Sequence, residues 1–226
     1  MQIKALREQT VPPDEIWVWC NDNEQPVEDF SAIADRVICS NSNWKFWGRF
    51  SIAALARTEY VAIIDDDILP RPGWIENCIK TVEQGADGIL GESGAILPVE
   101  GGYSSKNKVG WNGLHADTVQ EVDVVCQTWF FAKKHLQYLW IEQPYTWENG
   151  EDIHFAYSAQ KYGGVKSYIP PHPESASETW GYLPDFGKMA NTASHAVHKS
   201  DGHRELRSAM VDSYRQSGWT LLADKA

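Results

Sequence analysis

A five-residue apolar run, Tyr60-Val61-Ala62-Ile63-Ile64, passes directly into three aspartates, Asp65-Asp66-Asp67. Nothing else in the chain restricts the fold as much. An uninterrupted apolar run of this length predicts a strand buried on both faces, as in the parallel sheet of an α/β domain. Ligands of such sheets bind beyond the carboxyl ends of the strands. Three adjacent carboxylates at that position repel one another unless a cation neutralises them. Alternate residues of an extended segment share a side, so Asp65 and Asp67 face one site while Asp66 faces away. A hard divalent ion with oxygen ligands, Mg2+ or Mn2+, suits that pair and would bridge it to a substrate diphosphate. The competing reading is a solvated turn before Pro70.

The flanking sequence predicts strands and helices in alternation. Glu15–Cys20 is a β-rich run entered through the turn Val11-Pro12-Pro13-Asp14, and Arg36–Cys39 is a second short strand. Gly48–Arg57 favours helix. Trp74–Glu83 carries Ile75, Ile79 and Val82 at helical spacing and closes at Gly85. Such alternation predicts βαβ units on a mixed, mostly parallel sheet flanked by helices. In the second half, Val122–Ala132 reads as one strand, Glu151–Tyr162 as a helix stopped by Gly163-Gly164, and Val165–Ile169 as a short strand. Residues 175–200 read as a long loop. His203–Ser217 reads as an amphipathic helix with Leu206, Met210, Val211 and Tyr214 inward. The 226 residues fit one domain, with 1–100 and 101–226 as its two halves.

A second acidic constellation is Gly150-Glu151-Asp152, where a helix begins with two carboxylates. Acids there complement the helix dipole, which is reason enough for them. Beside a bound phosphate, such a carboxylate is also well placed as a general base. Charge supports an acidic site: of a net −11, nine units fall in residues 61–160, which hold 15 acidic and 6 basic side chains. A net of −11 argues against a nucleic-acid binder. The four cysteines have neither CxxC nor zinc-like spacing and read as free thiols. With no signal-peptide pattern and no apolar run near the roughly 20 residues that span a bilayer, the expectation is a soluble, cytoplasmic chain.

Three stretches together resemble family 2 glycosyltransferases of the GT-A fold, over roughly residues 5–175. They are Val11-Pro12-Pro13-Asp14-Glu15-Ile16-Trp17-Val18, Thr58–Asp67 (similar to the DxD strand) and Gly150-Glu151-Asp152 (similar to the xED motif). Trp47-Gly48-Arg49-Phe50, Ile169-Pro170-Pro171-His172-Pro173 and Gly218-Trp219 resemble glycosyltransferase domains of large algal viruses. The resemblance implies a metal-dependent hexosyl- or deoxyhexosyltransferase. It would move a sugar from a nucleotide diphosphate sugar, a UDP-sugar with a GDP-sugar as the alternative, to a hydroxyl of a glycan acceptor. The first half would hold the sugar donor and the second half the acceptor.

Position by position, the resemblance implies Asp65 and Asp67 as ligands of Mn2+ or Mg2+, and Asp65 and Asp66 beside the nucleotide sugar. It puts Asp22 near the base and Arg49 on the diphosphate. Asp152, with Glu151 beside it, would deprotonate the acceptor in an inverting displacement. A metal-binding histidine is expected after the xED helix, where His172 stands, with His195 and His198 as alternatives. The family also has a strand and a helix ahead of the Pro-Pro-Asp-Glu turn. Only Met1–Thr10 precede that turn here, so the expected sheet lacks its first strand.

Tryptophan is abundant, with 11 residues. Aromatic faces stack on sugar rings, and Trp111, Trp129 and Trp147 lie in the expected acceptor half. Trp17, Trp19, Trp74 and Trp140 read as packing. Two rival functions were weighed. A haloacid-dehalogenase-like phosphohydrolase also places DxD after an apolar strand, but needs Thr or Val where this chain has Leu69. A non-catalytic carbohydrate-binding domain would use the tryptophans without binding a nucleotide.

Overall fold

In the computed structural model of the chain, the described residues are 1–23, 30–100, 102–103, 107–110, 114–184, 186 and 202–225. A short helix α1 (Gln2–Arg7) leads through the Pro-Pro turn into β1 (Trp17–Cys20), which pairs in parallel with β2 (Arg36–Cys39). Helix α2 (Gly48–Ala53) then enters β3 (Tyr60–Ile64), and α3 (Trp74–Glu83) follows the Asp-rich turn. Gly48 is required by close approach: a Cβ there would lie 2.4 Å from the ring of Trp19.

Short strands come next: β4 (Ile89–Leu90), β5 (Ser93–Ala95), β6 (Lys108–Gly110), β7 (Gln120–Val122), β8 (Val124–Cys126) and β9 (Thr128–Ala132). Helix α4 (Glu151–Gly163), β10 (Ser167–Ile169) and α5 (His203–Gln216) complete the described elements that position the site. The five-stranded sheet has the order β3-β9-β4-β10-β7, and β6-β5-β8 form a second sheet.

The sheet is mixed, and its parallel share is smaller than simple alternation implies. β9 inserts between β3 and β4 antiparallel to both, and β10 runs parallel to β4 but antiparallel to β7. The run Val122–Ala132 is not one strand but parts of three. It breaks at Asp123, whose buried carboxylate accepts the main-chain N–H of Leu97 (2.7 Å) and Leu222 (2.8 Å), and at Gln127, whose φ is 66°. The strands between Ile89 and Gly110 have no legible pattern because they are two or three residues long and glycine-rich.

Among the described residues, β1 pairs only with β2, and β3 only with β9. A cavity of about 1190 Å3 runs along both, lined also by Ile3 and Leu6 of α1, and reaches Arg49 and Asp65–Asp67. Helix α4 is buried from Glu151 through Ala159. Phe155 and Ala159 join the sheet core with Phe50, Trp129 and Phe131, while Ile153, Ala156 and Tyr157 pack on Met210, Val211 and Tyr214 of α5.

Phe155 sits between Phe50 and Phe131, at ring-centroid distances of 5.9 and 5.2 Å, and is fully buried. Phe155→Ala leaves a cavity between the sheet and α4. It is expected to cost about 3–5 kcal/mol, read by denaturant unfolding.

Candidate functional site

β3 and β4 run in the same direction because both are antiparallel to β9, and β10 is parallel to β4. Their carboxyl ends therefore open on one edge. That edge carries Asp65–Asp67 after β3, Glu92 after β4, and Pro170–His172 after β10. The entry to β9, Gln127-Thr128, joins them: Gln127 O accepts the N–H of Asp65 at 3.0 Å, and Thr128 Oγ1 accepts that of Glu92 at 2.8 Å. From α1, Gln2 Nε2 donates to the carbonyls of Asp65 (2.7 Å) and Ile68 (2.6 Å), which fixes the acidic turn.

Asp65 and Asp67 are partly buried and Asp66 is exposed. Asp65 accepts a hydrogen bond from Arg49, whose other terminal nitrogen donates to Glu151 at 2.7 Å. One guanidinium thus joins the acidic turn after β3 to the start of α4. It lies over the ring of Trp129, 4.7 Å from the centroid. Burial pushes the Asp65 carboxyl up to about 7 against the pull of Arg49, with Glu151, Asp67 and Asp66 adding to the rise. Burial raises Asp67 as well, and its buried Oδ1 has no hydrogen-bond partner.

Asp152 lies at the same helix start. Its Oδ2 accepts from Arg207 of α5 at 2.5 Å and stands 3.8 Å from Cys126 Sγ, while Oδ1 accepts the N–H of Ile153 at 2.9 Å. Arg207 also donates to Asn149 Oδ1 at 3.1 Å and lies 4.1 Å over the ring of Tyr103. The turn into α4 depends on Gly150, which has a φ of 85° and whose Cβ would lie 2.2 Å from Met210 Cε.

The remaining expected residues fall as follows. Asp22, exposed and with a φ of 68°, lies in the short turn Asn21–Asn23 that follows β1. Both ring nitrogens of the buried His172 are already engaged, with Pro170 O at 2.9 Å and Leu114 O at 2.7 Å. The site's histidine therefore holds two loops together. Trp129 is 2% exposed and supports Arg49 from beneath, so it presents no face to an acceptor. Trp147 is 51% exposed, at the rim before α4, held by its carbonyl to Trp47 Nε1 at 2.8 Å. Trp111, His195 and His198 lie outside the described residues. Among the described residues, no group of three or more His, Cys, Asp and Glu side chains is arranged to hold a metal ion.

Two site residues have no sequence-level expectation. Arg207 lies with Met210, Val211 and Tyr214 on the buried face of α5, where Leu206 was expected; the i, i+3, i+4, i+7 spacing from 207 was the available signal. Glu92 is buried, neither of its carboxylate oxygens has a hydrogen-bond partner, and burial pushes it up to about 8.

Two outcomes are expected. Gly150→Ala forces a left-handed backbone and a clash with Met210, and should destabilise by more than about 1 kcal/mol in chemical unfolding. The raised pKa of Glu92 means that between about pH 5 and 8 the folded chain keeps a proton the unfolded chain has released. Stability therefore falls as pH rises through that window, and Glu92→Gln should lessen the slope in melts at pH 5.5 and 8.

Comparison with known proteins places this geometry. A Haloferax volcanii glucosyl-dolichyl phosphate glucuronosyltransferase is 30% identical over 102 residues, 42% of this chain and 32% of that protein. S. aureus TarS superposes with a TM-score of 0.50 at 16% identity, covering 78% of this chain and 34% of TarS. TarS 1-349 in complex with UDP also gives 0.50 at 16%, covering 75% and 55%. The chain thus spans about a third of the curated relative and no more than about half of these solved chains. The glycosyl transferase family 2 model matches residues 2–140, more than half of the chain, and the chain belongs to that family.

Proposed function

We propose that this chain transfers a sugar from a nucleotide diphosphate sugar to a hydroxyl of a glycan acceptor, with inversion and with Asp152 as the general base. The observation that carries this reading is the Arg49 bridge between Asp65 and Glu151. It brings the sugar-donor and base motifs into one site, within one side chain's length. The UDP complex of TarS supports a uridine nucleotide, and a GDP-sugar is the alternative.

The cavity along β1 and β3 ends at Lys45, Arg49, Asp65 and Asp67, which suits a nucleotide with its diphosphate toward the acidic turn. There Arg49 exchanges its contact with Asp65 for the phosphates. Asp67, with its unpartnered Oδ1, and Asp65 would hold a Mn2+ or Mg2+ ion. The small number of clustered carboxylates matches an ion that takes its other ligands from phosphates and water. Such an ion supplies charge neutralisation to the departing diphosphate. Arg207, itself bonded to Asn149, holds Asp152 in one orientation for the acceptor hydroxyl, and Trp147 offers an exposed ring on that side.

Calorimetry with UDP and GDP, with and without Mn2+, tests the reading. Asp67→Ala should remove the metal-dependent part of binding. Asp152→Asn should bind the nucleotide as before and lose turnover by about a hundredfold or more. Full turnover in Asp152→Asn overturns the base assignment. Absence of nucleotide binding by the unaltered protein overturns the reading and favours a carbohydrate-binding domain.

A further inference from the structure

Glu92 stands out among the acidic groups of this edge because, among the described residues, its buried carboxylate has no hydrogen-bond partner. It is 3% exposed. A buried polar group left unpaired costs stability, and a charged one costs more. Burial is the main cause of its raised pKa; the Ser93 hydroxyl and the Lys108 ammonium offset it in part, and Asp65 and Asp67 add to it. Unsatisfied, buried polar groups that destabilise their own fold concentrate where a ligand satisfies them.

Its position says what that ligand is. On one side the Glu92 N–H donates to Thr128 Oγ1 at 2.8 Å, next to Gln127, whose carbonyl accepts the N–H of Asp65 at 3.0 Å. On the other its neighbour Ser93 is in register with Cys126, whose Sγ is 3.8 Å from Asp152 Oδ2. It therefore lies between the proposed diphosphate site and the proposed base. In a displacement at the anomeric carbon, the transferred sugar ring occupies that interval, since one end of the ring faces the leaving diphosphate and the other the incoming hydroxyl.

We propose that Glu92 is a specificity-determining residue whose carboxylate accepts hydrogen bonds from hydroxyl groups of the transferred sugar. This rests on the transferase reading above. The segment Trp180–Tyr182 roofs the residue: Tyr182 is buried, and a Cβ on Gly181 would lie 2.1 Å from Glu92 Cβ. A sugar reaches Glu92 by displacing this roof. A site built around a hydrogen-bonding carboxylate rejects sugars whose hydroxyls do not match, because its own polar atoms then stay unpaired.

The test is calorimetric binding of UDP, UDP-glucose, UDP-N-acetylglucosamine and UDP-glucuronate, each with Mn2+, to the unaltered protein, Glu92→Ala and Glu92→Gln. Expected is unchanged affinity for UDP in both variants. The ranking of the sugars should collapse by at least about tenfold in Glu92→Ala and be partly kept in Glu92→Gln, which retains one acceptor oxygen. Thermal melts at pH 8 should place Glu92→Gln at or above the unaltered protein, as removal of an unpaired buried carboxylate requires. A ranking preserved in Glu92→Ala overturns the proposal, as does a parallel loss of UDP affinity in Glu92→Gln. If the unaltered protein binds UDP but ranks no sugar above it, the proposal alone falls. If it binds no nucleotide, the transferase reading falls first.

Discussion

The site depends on one partly buried cation. Arg49 projects from α2 into a space where Asp65, from the end of β3, and Glu151, from the start of α4, would otherwise face each other unpaired. Burying a guanidinium is costly, and removing one partner of a buried ion pair is more costly still, because the remaining charge has nothing to replace it. Here each charge is held by another, and the aromatic face of Trp129 lies under the guanidinium at 4.7 Å. Three elements distant in the chain are thereby tied at the point where a phosphate would enter. A phosphate offers Arg49 the same geometry as a carboxylate, so under the proposed function a donor phosphate would take over the contact Arg49 makes with Asp65.

The rest of the edge follows from the direction of β9. Antiparallel to both β3 and β4, it makes those two strands parallel without a helix-linked crossover between neighbours. Their carboxyl ends, that of β10 and the first residues of β9 then meet on one side of the sheet. Gln127, with its φ of 66°, is the pivot: it ends the ladder of β8, begins that of β9, and offers its carbonyl to Asp65. The opposite wall is α5. It delivers Arg207 to Asp152 and Met210 to Gly150, so the orientation of Asp152 is set from a distant part of the chain.

Much of the donor side was legible because its signals are local. The run Tyr60–Ile64 is a strand with those boundaries, the helix Trp74–Glu83 has its expected limits, and the alternation of Asp65, Asp66 and Asp67 appears as partly buried, exposed, partly buried. The break of Val122–Ala132 into separate strands was not legible, because it depends on what Asp123 and Gln127 bond to elsewhere. Leu206 was expected on the inner face of α5 on hydrophobicity, and Arg207 takes that place because a buried Asp152 receives its charge. The expectation of an acceptor-facing Trp129 met the same limit, since aromatic residues fill cores and sites alike.

By itself, the sequence determined that an acidic turn would follow a buried strand and that a second acidic pair would begin a helix after a glycine. These are properties of residue order, periodicity and charge, which act over a few residues. Which carboxylates meet, which cation holds them, that His172 spends both ring nitrogens on carbonyls, and that Glu92 stands unpaired between the two motifs were decided only by the tertiary structure. Burial and partner identity come from segments up to a hundred residues apart, as in the Arg49–Glu151 pair at a separation of 102. They set the electrostatic character of a group more strongly than its neighbours in the chain do.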